Sequence, residues 1–496
     1  MNLVSIVGNQ KTKDKVIRRE LSVYPGQIFH RSLLMRSMRD AMALNYFSNV
    51  VPDVKDLPNG DVDVEITVEE KQTGQLNAGA GYSARDRLVG TFGMGIPNLF
   101  GNGQTLNFNI EFGGRRNSSQ ISFTEPWMFG RPTLRGTDIF RLNREFVNIY
   151  TEGRRGGSIR FGKRLRWPDN FFRASFTYRL EGNRFFDFSN DFVFANRFHS
   201  VTTTDSTFTH FDDSGFIVNS NTIVVDTSID GNPPKPGSLL ELDEGWNTAS
   251  ILSFTLNRDS RNLPEFATSG SRFRYTYSKA GDFLGGFWDY TKHFTEFTQF
   301  INLYKGIALA AKFQFGAIIG SNDIKVLESE RFAPGGTSFL GIVRGYDDGS
   351  LTPDRLIGGD TAISRTVVYD TTSGTPTLVT TDSTESSQRP LPTRVRGKFM
   401  LTTNWEISFP LARNSLYFLT FFDAGNSWLK FQNIKPINGL FPGVGVGFRL
   451  AVPGIGTIGF DFGKPLRRRI FYDGLGNLTS DGLGWHSHFQ VGTVFR

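Results

Sequence analysis

The stretch that decides the fold is the last eleven residues, His486–Arg496, which read HSHFQVGTVFR. Alternate side chains of an extended strand point to opposite faces, so Phe489, Val491 and Phe495 share one face while the other face is more polar. Such a strand suits the wall of an outer-membrane barrel, between lipid and an aqueous lumen. A half-buried strand of a soluble sheet would show the same pattern. The barrel is favoured because the pattern recurs through most of the chain.

The composition of the 496 residues argues against a bundle of membrane helices. The chain contains 48 Phe and 54 Gly, yet its mean hydropathy is only −0.27. A membrane-spanning helix needs about 20 consecutive apolar residues, and the dense apolar stretch Ile307–Ile319 is interrupted by Lys312 and Gln314. Alternating strands dilute their apolar residues with lumen-facing polar ones, so a barrel scores as polar on average.

Sixteen alternating segments follow the N-terminal region. They are expected near residues 75–83, 88–96, 104–113, 118–125, 134–144, 155–163, 172–183, 247–257, 270–279, 290–303, 307–319, 397–410, 415–424, 443–453, 456–464 and 485–495. In the twelfth segment Trp405 and Ile407 share the apolar face, which places Glu406 on the opposite face. A basic side chain facing lipid at mid-depth costs roughly 2–4 kcal/mol. The charged faces are therefore expected to line the lumen.

The connections between these segments alternate in length. Connections after even-numbered segments are mostly short, and the two longest, near residues 184–245 and 320–396, follow odd-numbered segments. Outer-membrane barrels have short periplasmic turns, long outer loops and an even number of strands. The pattern places the N-terminal region on the periplasmic side and the barrel in the outer membrane.

The first seventy residues predict a separate unit with the order β-α-α-β-β. Strands are expected at Leu3–Val7, Val50–Lys55 and Val62–Glu70, with helices over Lys13–Leu21 (capped by Thr12) and Ser32–Asn45. The words VSIVGNQKTKDKVIRREL and ALNYFSNVVPDV within this region resemble the barrel-proximal POTRA domain of the BamA family of outer-membrane assembly proteins. We therefore expect a periplasmic POTRA domain at residues 1–73 and a barrel at residues 74–496. The edge of the POTRA sheet could accept an extended client or a partner subunit by β-augmentation.

A second resemblance lies in the long connection at residues 320–396. RFAPGG at Arg331–Gly336 is followed by VRGY, and further on by NWEISFP and FFDAGNSW. In this order the four sequence segments resemble the conserved loop of the same superfamily and the two strands that face it. The resemblance implies that the loop folds into the lumen and that its Arg is held by Glu406 and Asp423. An arginine shielded from water needs such carboxylate partners. The loop motif consists of Val343, Arg344, Gly345 and Tyr346.

No motif indicates catalysis or a cofactor. The chain has no G-x-S-x-G elbow and no cysteine, so we expect neither an enzyme nor a thiolate metal site. His486 and His488 lie two residues apart on one strand face, but lumen-facing histidines are the simpler explanation, and no metal is expected. The net charge of +7 is spread along the chain, which does not suggest a nucleic-acid partner. The N-terminus lacks an apolar signal segment, so we expect the chain to be the C-terminal part of a longer precursor.

The resemblance implies that the protein folds and inserts β-barrel clients into the outer membrane. Its partners would be unfolded barrel clients, periplasmic chaperones, accessory lipoproteins and outer-membrane lipid. The implied mechanism uses a weak lateral seam between the first and last strands, because glycines inside a strand weaken it and an open edge can template pairing. The expected seam residues are Gly79, Gly81, Gln490, Gly492 and Phe495.

Two other functions fit parts of the pattern. A two-partner secretion translocator of the same superfamily shares the VRGY loop and the POTRA-plus-barrel plan, but usually has two POTRA domains and a plug helix. A passive porin would need neither the POTRA domain nor the loop.

Overall fold

The computed structural model describes most of the chain. The residues outside the description are 59, 84–86, 147–148, 198–200, 204–209, 212–216, 220–223, 227–233, 235–237, 243–244, 264–265, 322–324, 338–339, 357–360, 371–376, 388–391, 413–414, 453–455, 473–477, 481 and 493–496. Phe495 of the predicted seam is among them.

The N-terminal unit is a three-stranded sheet packed against two helices. Its elements are β1 (Val4–Val7), α1 (Asp14–Arg18), α2 (Arg31–Ala43), β2 (Phe47–Asp56) and β3 (Val62–Glu70). Strand β3 is central, parallel to β1 and antiparallel to β2. Apolar side chains from all five elements form its core, among them Val4, Val16, Met38, Phe47 and Ile66. The predicted β-α-α-β-β order is confirmed, and β2 lies at one edge of the sheet.

The rest of the chain is organised around one sixteen-stranded antiparallel sheet. Its strands, in chain order, are β4 (Gln75–Ser83), β5 (Arg87–Leu99), β6 (Gln104–Gly113), β7 (Arg116–Glu125), β8 (Thr133–Phe146), β9 (Tyr150–Arg164), β10 (Phe172–Phe186), β11 (Asn247–Asp259), β12 (Gly270–Ala280), β13 (Tyr290–Tyr304), β14 (Ile307–Gly320), β15 (Phe399–Ala412), β16 (Leu416–Trp428), β17 (Phe441–Val452), β18 (Gly456–Pro465) and β19 (His486–Gly492). Each strand pairs with the next one in the chain. The predicted fold class is therefore confirmed, whereas the domain boundary placed between residues 73 and 74 stays a prediction.

The long connections contain elements that the sequence pattern had not indicated. Short paired strands join Val201–Thr203 to Val224–Asp226, His210–Phe211 to Ile217–Asn219, Asp354–Leu356 to Pro392–Arg394 and Ile470–Tyr472 to Leu478–Ser480, and a short helix covers Asn190–Asn196. A longer hairpin pairs Thr361–Asp370 with Thr377–Ser387. Its first strand is rich in β-branched residues, which favour extended backbone. No helix in the described part of the chain is long and apolar enough to cross a membrane.

The two faces of the sheet differ as the alternation predicts. Aromatic side chains pack against each other across neighbouring strands on the outer face: the ring centroids of Phe418 and Phe448 are 5.3 Å apart, and those of Phe460 and Phe489 are 4.7 Å apart. Charged side chains lie on the inner face, where Glu406 and Asp423 are almost fully buried. The sheet therefore presents an apolar exterior and a polar interior.

The seam between β4 and β19 differs from every other strand junction. Residues of these two strands come within 8 Å of each other, Cα to Cα. Within the residues that the structure describes, which on β19 end at Gly492, no hydrogen-bonded ladder joins them. Strand β19 has 7 residues, against 10 in its partner β18. In the described residues the sheet is thus continuous from β4 to β19, and no hydrogen-bonded ladder closes it between these two strands.

The N-terminal unit contacts a turn of the barrel directly, through the connection between β1 and α1. The backbone N–H of Lys13 donates to the carbonyl oxygen of Gly101 at 2.9 Å, and the Asn98 side chain donates to the Thr12 hydroxyl at 2.8 Å. The prediction that Thr12 caps the first helix was wrong: Lys13 takes the capping position, and no side chain caps it. The hydroxyl of Thr12 instead contacts the turn between β5 and β6.

Candidate functional site

The connection between β14 and β15, residues 321–398, forms the candidate site and is called the lumenal loop here. At its tip, Gly336 and Val343 exchange backbone hydrogen bonds of 2.9 and 3.0 Å. Gly345 has a φ of +97°, a backbone conformation that residues with a side chain rarely adopt. Val343, Arg344 and Tyr346 are buried. The VRGY motif therefore lies inside the barrel rather than in outer solvent.

Arg344 is enclosed by carboxylates from the barrel wall. Its Nε and Nη2 donate to the two carboxylate oxygens of Asp423 at 2.7 and 3.0 Å, and its backbone N–H donates to the same Asp423 at 3.0 Å. Nη1 donates to Glu406 at 3.3 Å. Arg344 is 1% exposed, and the structure brings it together with both acids that the sequence had singled out.

Two further groups around Arg344 were not anticipated. Asp461 of β18 lies 3.5 Å from Nη1 of Arg344 and is itself bound by both terminal nitrogens of Arg449 at 2.8 and 2.9 Å. The ring of Phe421 lies 3.6 Å from the Arg344 guanidinium carbon, a stacking geometry that arginine favours. We call Arg344, Glu406, Asp423 and Asp461 the tip anchor.

The electrostatics of the tip anchor favour a permanently charged Arg344. Burial alone would lower the pKa of this guanidinium, but the three surrounding carboxylates, first Asp423 and then Asp461 and Glu406, outweigh burial and raise the pKa above its ordinary value. Removing any one of these groups would leave an uncompensated charge in a region shielded from water, which would lower the stability of the fold.

The loop tip also contacts the last three strands of the sheet. A Cβ on Gly443 would collide with the Arg344 carbonyl, and a Cβ on Gly463 would collide with the backbone N–H of Gly345. That N–H donates to Nε2 of His488 at 3.2 Å, and Nδ1 of His486 lies 3.3 Å from Asp347. The small residues in the wall thus let the loop backbone reach β19.

Tyr346 fixes the far side of the tip. Its hydroxyl lies within hydrogen-bond distance of two backbone carbonyls, Pro442 at 3.0 Å and Arg467 at 2.9 Å. Its ring packs edge-on against Phe441, with centroids 6.0 Å apart. The tyrosine therefore ties the motif to the ends of β17 and β18.

A second, partly buried cluster holds the start of the lumenal loop against a different part of the wall. Glu330 accepts a hydrogen bond from Lys292 at 2.8 Å and lies 3.6 Å from Arg154, which also binds Glu181 at 2.8 Å. We call Glu330, Lys292, Arg154 and Glu181 the base anchor. The neighbouring Ser329 hydroxyl donates to the buried Glu152 at 2.8 Å. The loop is thus bound on one side to β9 and β13 and on the other to β15–β19.

Apolar packing reinforces the base anchor. Leu327 and Phe332 lie on either side of Glu330 in the sequence. Both are buried in a cluster with Trp288, Tyr290 and Phe185. Phe332 and Gly397 also exchange backbone hydrogen bonds of 2.9 and 2.7 Å. The start and the end of the loop are therefore held together where they leave the barrel.

The base anchor gives a prediction on acid stability. Lys292, followed by Arg154, holds the pKa of Glu330 well below its ordinary value, although burial opposes the shift. A carboxyl whose pKa is lower in the folded state stabilises the fold above its unfolded pKa of about 4.3, and that stability is lost as the pH falls toward the folded pKa. Glu330→Gln should lower the stability of the barrel by about 3 kcal/mol at pH 7, and the difference from the unaltered chain should shrink in acid.

Thermal unfolding in detergent at pH 7 and pH 3 measures this difference. Glu145→Gln, at an exposed position on the outer face, is the matched control and should behave like the unaltered chain at both pH values. Equal stability of Glu330→Gln and the control at pH 7 would contradict the assignment of Glu330 to a stabilising anchor.

The predicted seam residues that the structure describes lie on β4 and β19, the two strands that border the seam. Gly79 and Gly81 of β4 pair with Thr91 and Val89 of β5, and Gln490 and Gly492 of β19 pair with Gly459 and Thr457 of β18. Among the described residues no group of His, Asp or Glu side chains is placed to hold a metal ion.

Comparison with known proteins agrees with this architecture. The Omp85 superfamily domain matches residues 98–495, and the POTRA domain, described as a surface antigen variable number repeat, matches residues 1–71. The chain is 27% identical over 372 residues to the outer membrane protein assembly factor BamA of Nitratidesulfovibrio vulgaris, a match that covers 73% of this chain and 40% of that protein. The chain thus spans well under half the length of that relative.

Solved structures share the fold at low sequence identity. BamA from Haemophilus ducreyi lacking POTRA domains 1–3 superimposes with a TM-score of 0.65 at 18% identity, covering 98% of this chain and 83% of that one. CdiB from Escherichia coli superimposes with a TM-score of 0.54 at 11% identity, covering 99% and 75%.

The sixteen-stranded sheet, the inward loop and the N-terminal domain define an outer-membrane β-barrel protein with a POTRA domain in the periplasm. The chain belongs to the Omp85 superfamily, as a member of its BamA family.

Proposed function

We propose that this chain is the core of an outer-membrane protein insertase that folds and inserts β-barrel clients through the seam between β4 and β19. The observation that carries the proposal is the seam itself. Fifteen pairs of neighbouring strands are joined by hydrogen-bonded ladders. In the described residues β4 and β19 approach each other without such a ladder. Unpaired backbone N–H and C=O groups on a strand edge form a template for another strand.

The lumenal loop supports the proposal because it links the seam to the rest of the wall. The tip anchor contacts β18, and Gly345 hydrogen-bonds His488 of β19. The base anchor holds the same loop to β9 and β13. In the proposed mechanism the loop steadies the last strand from inside, so that the edge of β4 can move relative to it while the lumen stays filled.

The POTRA domain would receive the clients. Strand β2 is an edge strand whose outer backbone can pair with an extended segment, and main-chain hydrogen bonds provide affinity without strict sequence demands. Pro52 within β2 removes one donor, which fits transient rather than permanent pairing. Unfolded barrel clients, periplasmic chaperones and accessory lipoproteins are the partners that we propose.

The free energy of insertion would come from the client. A barrel client buries its apolar face in lipid and satisfies its backbone groups as it folds, so the proposed mechanism needs no nucleotide. The role of the protein would be kinetic: it offers a strand edge and a ready-made opening at the membrane.

Reconstitution tests the proposal. We expect phosphatidylcholine vesicles that contain this chain to insert a urea-unfolded barrel client several-fold faster than protein-free vesicles, measured by protease protection and by gel mobility before and after boiling. Vesicles containing an unrelated sixteen-stranded porin are the control for simple bilayer disturbance. If the client inserts at the same rate in both kinds of protein-containing vesicle, the insertase proposal is wrong.

A further inference from the structure

The outer face of the barrel carries a cluster of three arginines on β8, β9 and β10, where lipid would be expected. The ladders place Arg141 of β8 directly opposite Arg155 of β9, and Arg184 of β10 opposite Gly153 of β9. On β8 and β9 the same face carries Ile139 and Ile159, which are 63% and 39% exposed. The three arginines therefore point away from the lumen, just beyond the apolar part of the wall.

Their depth follows from the direction of the strands. The POTRA domain is periplasmic, and β4 starts beside it, so β8 and β10 run outward and β9 runs inward. Arg141 lies two residues beyond Ile139 toward the outer end of β8, about 7 Å further along the strand. The arginines thus lie at the level of the lipid headgroups in the outer leaflet.

Among the described residues these arginines have no ion-pair partner. None of Arg141, Arg155 and Arg184 forms an ion pair with a residue that the structure describes. Directly opposed like charges such as Arg141 and Arg155 destabilise a sheet. Glu145, the next carboxylate on the same face of β8, is about 13 Å further along the strand.

Aromatic rings hold two of the arginines in place. The guanidinium carbon of Arg155 is 4.0 Å from the centroid of the Trp246 ring, and that of Arg184 is 5.0 Å from the Phe186 ring. A Cβ added to Gly182 would lie 3.1 Å from the Trp246 ring, so the glycine provides room for the indole. Stacking occupies the face of a guanidinium but leaves its N–H groups free to bind an anion.

A lysine at the same level provides a contrast. Lys279 of β12 lies opposite Leu252 of β11, on the outer face and near the outer end. Its ammonium group is 2.9 Å from Asp289 and 3.7 Å from Asp282. The protein therefore neutralises an outward cation with its own carboxylates in one place and leaves three without a described partner in another.

We propose that Arg141, Arg155 and Arg184 bind the phosphate of an anionic lipid headgroup in the outer leaflet. Guanidinium groups bind phosphate oxygens bidentately, and such charge-assisted bonds are strong. A membrane lipid fits better than a free anion because the patch adjoins the apolar wall, where acyl chains pack. The inference is independent of the seam mechanism and would hold even if the chain inserted no clients.

The test compares lipids that differ in phosphate. The chain is placed in nanodiscs of phosphatidylcholine with or without diphosphoryl lipid A, and lipid retention is measured by native mass spectrometry after release into detergent. We expect the unaltered chain to retain the phosphorylated lipid at least tenfold better than its dephosphorylated form. The variant carrying Arg141→Gln, Arg155→Gln and Arg184→Gln should lose this preference, whereas Lys279→Gln should keep it.

Three results would overturn the proposal. One is equal retention of the phosphorylated lipid by the triple variant, and another is equal retention of the dephosphorylated lipid by the unaltered chain. The third is a thermal stabilisation by inorganic phosphate alone that matches that by the lipid, which would indicate a site for free anions. Circular dichroism and gel mobility before and after boiling verify that the triple variant is folded, and a single Arg155→Gln variant replaces it if it is not.

Discussion

Closing the seam with a disulfide should abolish client insertion, and reduction should restore it. Cysteines at Gly79 or Gly81 of β4 and at Gln490 or Gly492 of β19 would bridge strands that are adjacent but not laddered. The chain has no native cysteine, so an added pair has no competing thiol. Because the proposed mechanism requires the β4 edge to be free, a covalent bridge should reduce insertion to the rate of empty vesicles.

The control is a disulfide across a permanent ladder. Ser253 and Ser278 lie directly opposite each other on β11 and β12, with their hydroxyl oxygens 2.8 Å apart. Ser253→Cys with Ser278→Cys should form a bridge and leave insertion unchanged. Full activity with the seam demonstrably bridged would instead favour a channel through the lumen, as in a secretion translocator.

Replacing Arg344 with alanine should weaken the whole barrel. The change would leave Asp423, Glu406 and Asp461 close together without their shared cation, and all three are almost fully buried. Removal of one partner from a buried ion pair costs roughly 3–5 kcal/mol, because the remaining charge is uncompensated. We expect a clear fall in the thermal unfolding temperature and release of the loop tip from β18 and β19.

Two further variants separate charge from geometry. Arg344→Lys retains the positive charge but cannot form the two-pronged contact with Asp423, so its stability should be intermediate. Arg160→Ala removes an exposed arginine on the inner face of β9 and should change stability little. If Arg344→Ala and Arg160→Ala unfold at the same temperature, the tip anchor does not stabilise the barrel.

The strand pattern was predictable because the bilayer enforces it. Lipid on one side and water on the other make the alternation of Trp405, Glu406 and Ile407 unusually regular, and most predicted strand bounds lie within a few residues of those observed. The same alternation correctly placed the Glu406 side chain in the barrel lumen. Strand ends were less predictable, as at β9, which begins at Tyr150 rather than near residue 155, because Thr151 and Gly153 on its outer face provide no apolar side chains to continue the alternation.

The partners of the loop were less predictable than the wall. Asp461 sits between the outward Phe460 and Phe462, so parity could have identified it as a lumenal acid near Arg344. Strand parity could not have identified the contacts of the base anchor. Glu330 and Arg154 are 176 positions apart in sequence, and their contact depends on the path of a long loop that has no periodicity to constrain it. The contact of His488 with Gly345 depends on that path as well.

Capture of a client strand at the seam tests the central claim most directly. A single cysteine at Gly79 or Gly81 is combined with single cysteines along the terminal strand of a barrel client, and disulfides are trapped during insertion. The proposed mechanism predicts crosslinks from β4 to alternate client positions in one antiparallel register, with none from Ser253→Cys inside the lumen. Crosslinks from Ser253→Cys without any from β4 would contradict it.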